Sequence, residues 1–295
     1  MFLFHPIGFI KNYIATLSIT LAEQGHKISR IQKAQLAMLL SVILLCNRIC
    51  WSDVELTTMG EMSAKKTWWI YSKSSLPWDA LFSASIQMML KAYGITEGVL
   101  AIDETDNPRS KKTPFIAYTH KYFDKKTNGY KNGQELVFIV LVTAKITIPV
   151  GFEFYEPDQG IAEWKKENAR LIKEGTDKND RPKRPDPSPD YRSKTQIAAK
   201  LIKSFKKSFP DIKIQAVVAD ALYGSQSFYD DMVSEVPQLI SHLKKDQCVT
   251  HQGKKYSVTN FFNDVYPPLE STIKIRGDNE QKVMFRAIRV HVNAH

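Results

Sequence analysis

Two short apolar runs, each closed by an aspartate, restrict what this chain can fold into. The first is Val99-Leu100-Ala101-Ile102-Asp103-Glu104-Thr105. The second is Ile214-Gln215-Ala216-Val217-Val218-Ala219-Asp220, followed by Ala221-Leu222-Tyr223-Gly224. A short continuous apolar run bounded by polar residues reads as a strand buried on both faces. Ligands in open α/β sheets gather at the carboxyl ends of strands, where both acids would stand. Between the runs, Thr195 to Phe209 reads as a helix. Ile197, Leu201, Ile202 and Phe205 face in, Lys200, Lys203, Lys206 and Lys207 face out, and Pro210 ends it. Leu136 to Val142 and Ile146 to Tyr155 read as antiparallel strands joined at Ala144-Lys145. A strand hairpin, then a helix, then a strand predicts mixed α/β with a crossover, the two acid-tipped strands side by side.

Neighbouring strands lie about 4.8 Å apart. Two carboxylates at one level on adjacent strands can therefore share a hard cation. Mg²⁺, or Mn²⁺ in its place, takes oxygen ligands octahedrally and leaves positions for water and phosphate. Two such ions about 4 Å apart suit phosphodiester chemistry, and a third carboxylate is normally needed to hold the second. An Asp closing a strand is also a common turn former. The case rests on two acids in matching contexts within a basic chain.

The 295 residues carry a formal charge of +10 and a pI near 9.3, which favours polyanionic partners, nucleic acid before an anionic membrane surface. The 43% hydrophobic content suits a globular chain with a real core. Cys46, Cys50 and Cys248 make no ligand set, and Cys46 and Cys50, one helical turn apart on an apolar stretch, read as buried free thiols of a reducing cytoplasm. Leu36 to Ile49, broken by Ser41 and Asn47, is shorter than the roughly 20 residues a membrane span needs. The N-terminus has no signal-peptide pattern.

Residues 9–50 and Trp78 to Tyr93 follow helical periodicity, with Ser29 as a cap and Gly94 as a stop. Residues 53–75 are mixed, and Trp68-Trp69-Ile70-Tyr71 reads as an aromatic knot packed in a core, with contact to DNA beside Lys65 and Lys66 as the alternative. Asp106 to Gly133 reads as a long polar loop. Its Arg109, Lys111, Lys112, Lys121, Lys125 and Lys126 suit DNA phosphates, and the interleaved rings suit stacking on bases. Residues 157–194, rich in Pro and in charges of both signs, read as a mobile surface excursion holding a short helix, Glu163 to Gly175. Ser225, just past Gly224, caps a further helix, and Gln238 to Leu243 forms the next strand. From Thr250 the chain reads as short strands.

Three motifs together resemble the DDE transposases of bacterial insertion sequences, in the insertion-sequence-four group: Ala101-Ile102-Asp103-Glu104-Thr105, Asn128-Gly129-Tyr130-Lys131-Asn132-Gly133-Gln134-Glu135-Leu136, and Ala219-Asp220-Ala221-Leu222-Tyr223-Gly224. The resemblance spans roughly residue 28 onward. It implies α/β architecture: a ribonuclease-H-like mixed sheet, a helical N-terminal DNA-binding region at 1–95, a core at 96–249 with the excursion at 157–194, and a β-rich insertion from 250 to 295. It implies Asp103 and Asp220 as metal ligands and catalytic acids, and Mg²⁺ or Mn²⁺ as cofactor. The partner is then DNA at element ends, bound in a homodimeric complex at the bacterial nucleoid with no membrane. The third acid of that group lies in a pattern of Tyr, two residues, Arg, three residues, Glu, six residues, Lys. No such pattern occurs here. The expectation is a truncated, inactive copy whose sheet shows apolar surface where the Glu-bearing helix would pack. A non-catalytic DNA-binding fragment and a nuclease of the same fold are the competing readings.

Overall fold

A computed structural model describes residues 3–46, 50–109, 116–124, 126–242, 247–264, 269–274, 280–285 and 291–293. The chain divides into two compact units, Met1–Ile95 and Thr96–His295.

The first unit is helical. Helix α1 (Gly8–Glu23) buries Ile10, Ile14, Leu17 and Leu21, a spacing that lines one face. That stripe packs on Leu36 and Ala37 of α2 (Arg30–Cys46). Ser29 starts α2 as expected: its Oγ accepts from Gln32 N, and its own N–H donates to the Gln32 side chain at 2.8 Å. Residues 53–75, read as mixed, are helical instead: α3 (Trp51–Thr57), and α4 (Ala64–Lys73) capped by Ser63. These helices are too short for periodicity to stand out, and tertiary packing decides them. Val54 and Met62 close a second cluster with Met38, Leu39 and Val42.

The aromatic knot divides. Tyr71 stacks between Trp51 and Trp78, whereas Trp68 and Trp69 are exposed, 46% and 56%. Core packing therefore holds for only part of the run. Helix α5 (Trp78–Tyr93) contributes Leu81 and Ala84 to the α1 cluster and ends at Gly94, whose φ of 58° is the left-handed conformation that glycine adopts without strain. Cys50 is exposed and Cys46 half-buried, so these two thiols are less buried than expected. No single helix among the described residues is long and apolar enough to cross a membrane.

The second unit is built on a mixed sheet. Strand β1 (Glu97–Pro108) is followed by β2 (His120–Asp124), β3 (Gly129–Val142) and β4 (Thr147–Tyr155). Next come α6 (Gln159–Lys173), α7 (Lys194–Ser208), β5 (Lys213–Ala219), α8 (Gln226–Met232) and β6 (Leu239–Ser241). β3 lies antiparallel between β4 and β1; β5 runs parallel to β1, and β6 parallel to β5. The resulting order, β4-β3-β1-β5-β6, with α7 crossing over before β5, is the ribonuclease-H-like sheet that the resemblance implied. β2 pairs with the first residues of β3.

Side chains alternate across this sheet. Leu100 and Ile102 of β1, Val137, Ile139 and Leu141 of β3, and Ile148 of β4 are buried. They share a face with α7, which buries Ile197, Ala198, Ile202 and Phe205. Burying each Leu or Ile contributes about 1.5–3 kcal/mol, so this face carries much of the unit's stability. The other face is more open: Tyr118 stacks on Phe154 and buried Gln134 donates to the Ala117 carbonyl at one end of it. Val142, Phe152, Val218 and Ile240 all lie on it, each more than a third exposed. The first strand was expected to be buried on both faces, and only one face is covered.

Two more expectations change. The long loop at 106–133 is in large part sheet: β1 continues to Pro108 opposite Gly133, and β2 with β3 forms a hairpin. The polar composition concealed the strands because one side of the hairpin faces solvent. The excursion at 157–194 is tied to the sheet near its end, where Arg192 Nη1 donates to Glu153 Oε1 and the Tyr191 hydroxyl meets that of Tyr155 at 3.3 Å, and it is braced within itself. Asp158 caps α6 by accepting from Ile161 N and also accepts from Ser188 N, each at 2.8 Å, and Trp164 Nε1 donates to Pro182 O at 2.7 Å. Further on, β7 (Cys248–His251) pairs with β8 (Lys254–Ser257). A helix follows, α9 (Val258–Asp264), where only short strands were expected. β9 (Leu269–Lys274) pairs with β10 (Glu280–Phe285), and β11 (His291–Asn293) with β7.

Candidate active site

The register of β1 and β5 pairs Leu100 with Val217 and Ala101 with Val218. The pairing ends there; carried on by two residues, the same register would set Asp103 level with Asp220, one residue beyond β5. Partners in a parallel pair share a face, so Asp103 lies on the open face with Ala101 and Val218, and the same alternation would send Asp220 there, on a strand about 4.8 Å away. Both residues are exposed. Asp103 was read as the end of its strand, yet β1 runs on to Pro108 because β3 is long enough to pair with it throughout. Asp220 does stand just past the last residue of β5.

Each carboxylate is held by a backbone N–H. Asp103 Oδ1 accepts from Glu104 N at 2.8 Å, and Asp220 Oδ1 accepts from Leu222 N at 2.8 Å. The turn after Asp220 closes on itself, with Tyr223 N donating to Asp220 O at 3.2 Å. Gly224 then passes so close to the end of β6 that a Cβ there would stand 2.6 Å from the His242 carbonyl oxygen. Its own carbonyl accepts from the buried Gln247 side chain at 2.6 Å. Ser225 stands at the N-cap of α8, but its hydroxyl meets Ser227 at 3.3 Å and makes no capping bond.

The donor chemistry suits a hard divalent cation. The two carboxylates each keep a second oxygen free of hydrogen bonds to the described residues. No group of three His, Cys, Asp or Glu suited to a metal gathers among the described residues. Glu104 does not complete the set, because strand alternation sends its side chain to the covered face.

There Glu104 enters a polar network that the sequence reading missed. Lys194, the first residue of α7, donates to Glu104 Oε2 at 2.8 Å and to Glu135 Oε1 at 2.7 Å. Glu135 Oε2 meets His120 Nε2 at 2.7 Å, and the Tyr223 hydroxyl donates to Glu104 Oε1 at 3.2 Å. Lys194 also lies 5.1 Å from the centre of the Tyr155 ring. Burial pulls the Lys194 pKa down, but its two carboxylate partners outweigh this and leave it raised. Burial likewise opposes the His120 shift, and hydrogen bonds to Glu135 and the Tyr118 carbonyl leave that pKa raised too. Glu135 is lowered, its own desolvation overcome by His120 and Lys194. Burial pushes the Tyr223 hydroxyl well up, and the charges of Glu104, Asp220 and Asp103 add to it. A sequence signal for part of this existed: Lys194 begins a helix whose first turn holds no acid, against the dipole preference.

Among the residues expected to touch DNA, Arg109 donates to Gln134 Oε1 at 3.0 Å, and Lys121 lies 5.0 Å from the centre of the exposed Tyr130 ring. Lys126 is exposed in the hairpin turn. Lys111, Lys112 and Lys125 fall outside the described residues. Phe123 and Tyr130 pack edge to face and are both exposed. Along β3, Tyr130, Asn132, Gln134 and Leu136 alternate onto the same face as Phe138, the partner of Asp103. The hairpin tip thus extends the open face away from the two acids.

A search of curated proteins finds no match to the chain. Residues 70–258 match the family described as DDE superfamily endonuclease, whose members generally act on DNA with divalent metal ions. With that match covering more than half its length, the chain belongs to the DDE superfamily endonucleases.

Proposed function

We propose that this chain is a transposase of a bacterial insertion sequence, of the insertion-sequence-four group. Its reaction is divalent-metal-dependent cleavage and joining of DNA at element ends. The observation that supports the reading is the β1–β5 register, Leu100 with Val217 and Ala101 with Val218, which continued by two residues would bring Asp103 level with Asp220 on a ribonuclease-H-like sheet. Asp103 and Asp220 are the metal ligands and catalytic acids. Mg²⁺, or Mn²⁺ in its place, supplies activation of the attacking oxygen and charge stabilisation at the phosphodiester. The Glu104 and Leu222 N–H groups fix one oxygen of each acid and leave the other for the metal.

DNA lies along the open face. Arg109, Lys121 and Lys126 meet phosphates, with Lys111, Lys112 and Lys125 assigned the same role from sequence, while Phe123 and Tyr130 offer rings to bases. The helical unit at 1–95 is a second DNA-binding region. Its helix α4 exposes Lys65, Lys66, Trp68, Trp69 and Lys73 and contains no acid. These 295 residues, tested by themselves, are expected to cleave poorly. They hold two acids of that group's three, Asp103 and Asp220, and Val142, Val218 and Ile240 give the face of Asp103 exposed apolar surface.

The test is the purified chain with element-end DNA and Mg²⁺ or Mn²⁺, beside Asp103→Asn. Metal-dependent DNA binding that is weakened by Asp103→Asn, with little cleavage, is the expected result. Efficient cleavage abolished by Asp103→Asn would keep the site and overturn the deficiency. Binding and cleavage indifferent to Asp103→Asn would overturn the site.

A further inference from the structure

We infer that Lys194 is the positioning residue that sets both acids, acting through the sheet from its covered face. The inference rests on Asp103 and Asp220 being the metal ligands, and it adds what holds them in register. Lys194 has a side chain only 18% exposed, and it grips Glu104 and Glu135 across β1 and β3. Glu104 is the residue whose backbone N–H holds Asp103 Oδ1. Fixing the Glu104 side chain on one face therefore fixes the donor that orients Asp103 on the other. Glu104 Oε1 also accepts from the Tyr223 hydroxyl. Tyr223 is fully buried and belongs to the turn whose Leu222 N–H holds Asp220 Oδ1. One ammonium thus ties the donor of the first acid to the turn of the second, two segments more than a hundred residues apart in sequence.

The location of Lys194 argues that the contact is specific. A cation in the first turn of a helix opposes the helix dipole, and here it is also largely removed from water. Neither cost arises at Lys200, on the same helix, which meets Glu153 at 2.6 Å while staying 47% exposed. Residues that orient metal ligands typically change metal affinity or activity about 10- to 100-fold when removed.

The experiment titrates Mn²⁺ against the full chain, read by water proton relaxation, with a thermal melt on each variant. Wild type should bind and Asp103→Asn should lose the site. Lys194→Met should weaken Mn²⁺ about 10- to 100-fold while still melting cooperatively, Lys194→Arg should recover part of the loss, and Lys200→Met should match wild type. Should Lys194→Met not fold, Tyr223→Phe serves in its place, because it removes only the hydroxyl that joins the Asp220 turn to Glu104. Wild-type Mn²⁺ affinity in Lys194→Met or in Tyr223→Phe overturns the inference and leaves the metal site standing. Binding in wild type that Asp103→Asn does not alter, or no binding at all, removes the metal site and the inference with it.

Discussion

Gly224→Ala tests how tightly the turn behind Asp220 is held. The new Cβ would stand 2.6 Å from the His242 carbonyl oxygen and 3.1 Å from Ser241 Oγ. Neither atom yields easily, since one is backbone beside β6 and the other meets the Tyr229 hydroxyl at 3.0 Å. Ordinary packing distance needs a retreat of at least about half an ångström. The turn cannot retreat alone. Gly224 O is anchored by buried Gln247, and Tyr223 N and Leu222 N bond back to Asp220. Overpacking of this kind costs about 1–3 kcal/mol. In a unit of this size that corresponds to a Tm lower by about 2–12 °C. Misplacing a reacting group by about 1 Å can cost about 100-fold, so Mn²⁺ affinity should fall along with stability. Calorimetry and an Mn²⁺ titration on the same sample read both effects. Gly8→Ala is the control, as its Cβ would meet nothing within 4 Å. A Gly224→Ala protein with wild-type Tm and Mn²⁺ affinity would refute the claim that close approach holds this turn.

The remaining predictions concern the pairing on the covered face, the core and the charged surface. The raised His120 pKa means its pairing with Glu135 stabilises fully below the ordinary value of 6.5 and loses that contribution as pH rises through the raised value. Glu135 is lowered, so its part is present above 4.5 and lost as pH falls through the depressed value. The Tm difference between wild type and His120→Gln should therefore be largest between those limits, and a difference independent of pH would contradict the pairing. Ile139→Ala removes a fully buried side chain at the centre of the sheet and should cost about 2–5 kcal/mol in urea unfolding. Replacing Lys65, Lys66 and Lys73 together by Ala should make the slope of log K against log salt shallower, by about 0.9 for each phosphate that these lysines neutralise. An unchanged slope in a DNA-binding titration would remove α4 from the interface.

Local pattern was enough to place much of this molecule. The apolar positions of α1, α2, α5 and α7 recur once per turn, and Gly94 and Ser29 mark helix ends through their own backbone and side-chain chemistry. The hairpin of β3 and β4 and the acid-tipped strand β5 show as continuous apolar runs. The helices α3 and α4 escaped because seven and ten residues give periodicity too little room. The hairpin of β2 and β3 escaped because its exposed side carries Lys121 and Tyr130, which look like loop.

What the sequence by itself determined is the longer helices, the apolar strands and the two acids at the ends of similar apolar runs, since each depends on residues a few positions apart. Only the tertiary structure decided that β5 runs parallel beside β1 with Ala101 opposite Val218, the register from which the two acids are argued. The same holds for the closure of Lys194 on Glu104 and Glu135, for Glu104 turning away from the acids it adjoins, and for the apolar face left open beside them. Register, cross-helix ion pairs and burial join residues scores of positions apart, and no local periodicity carries that information.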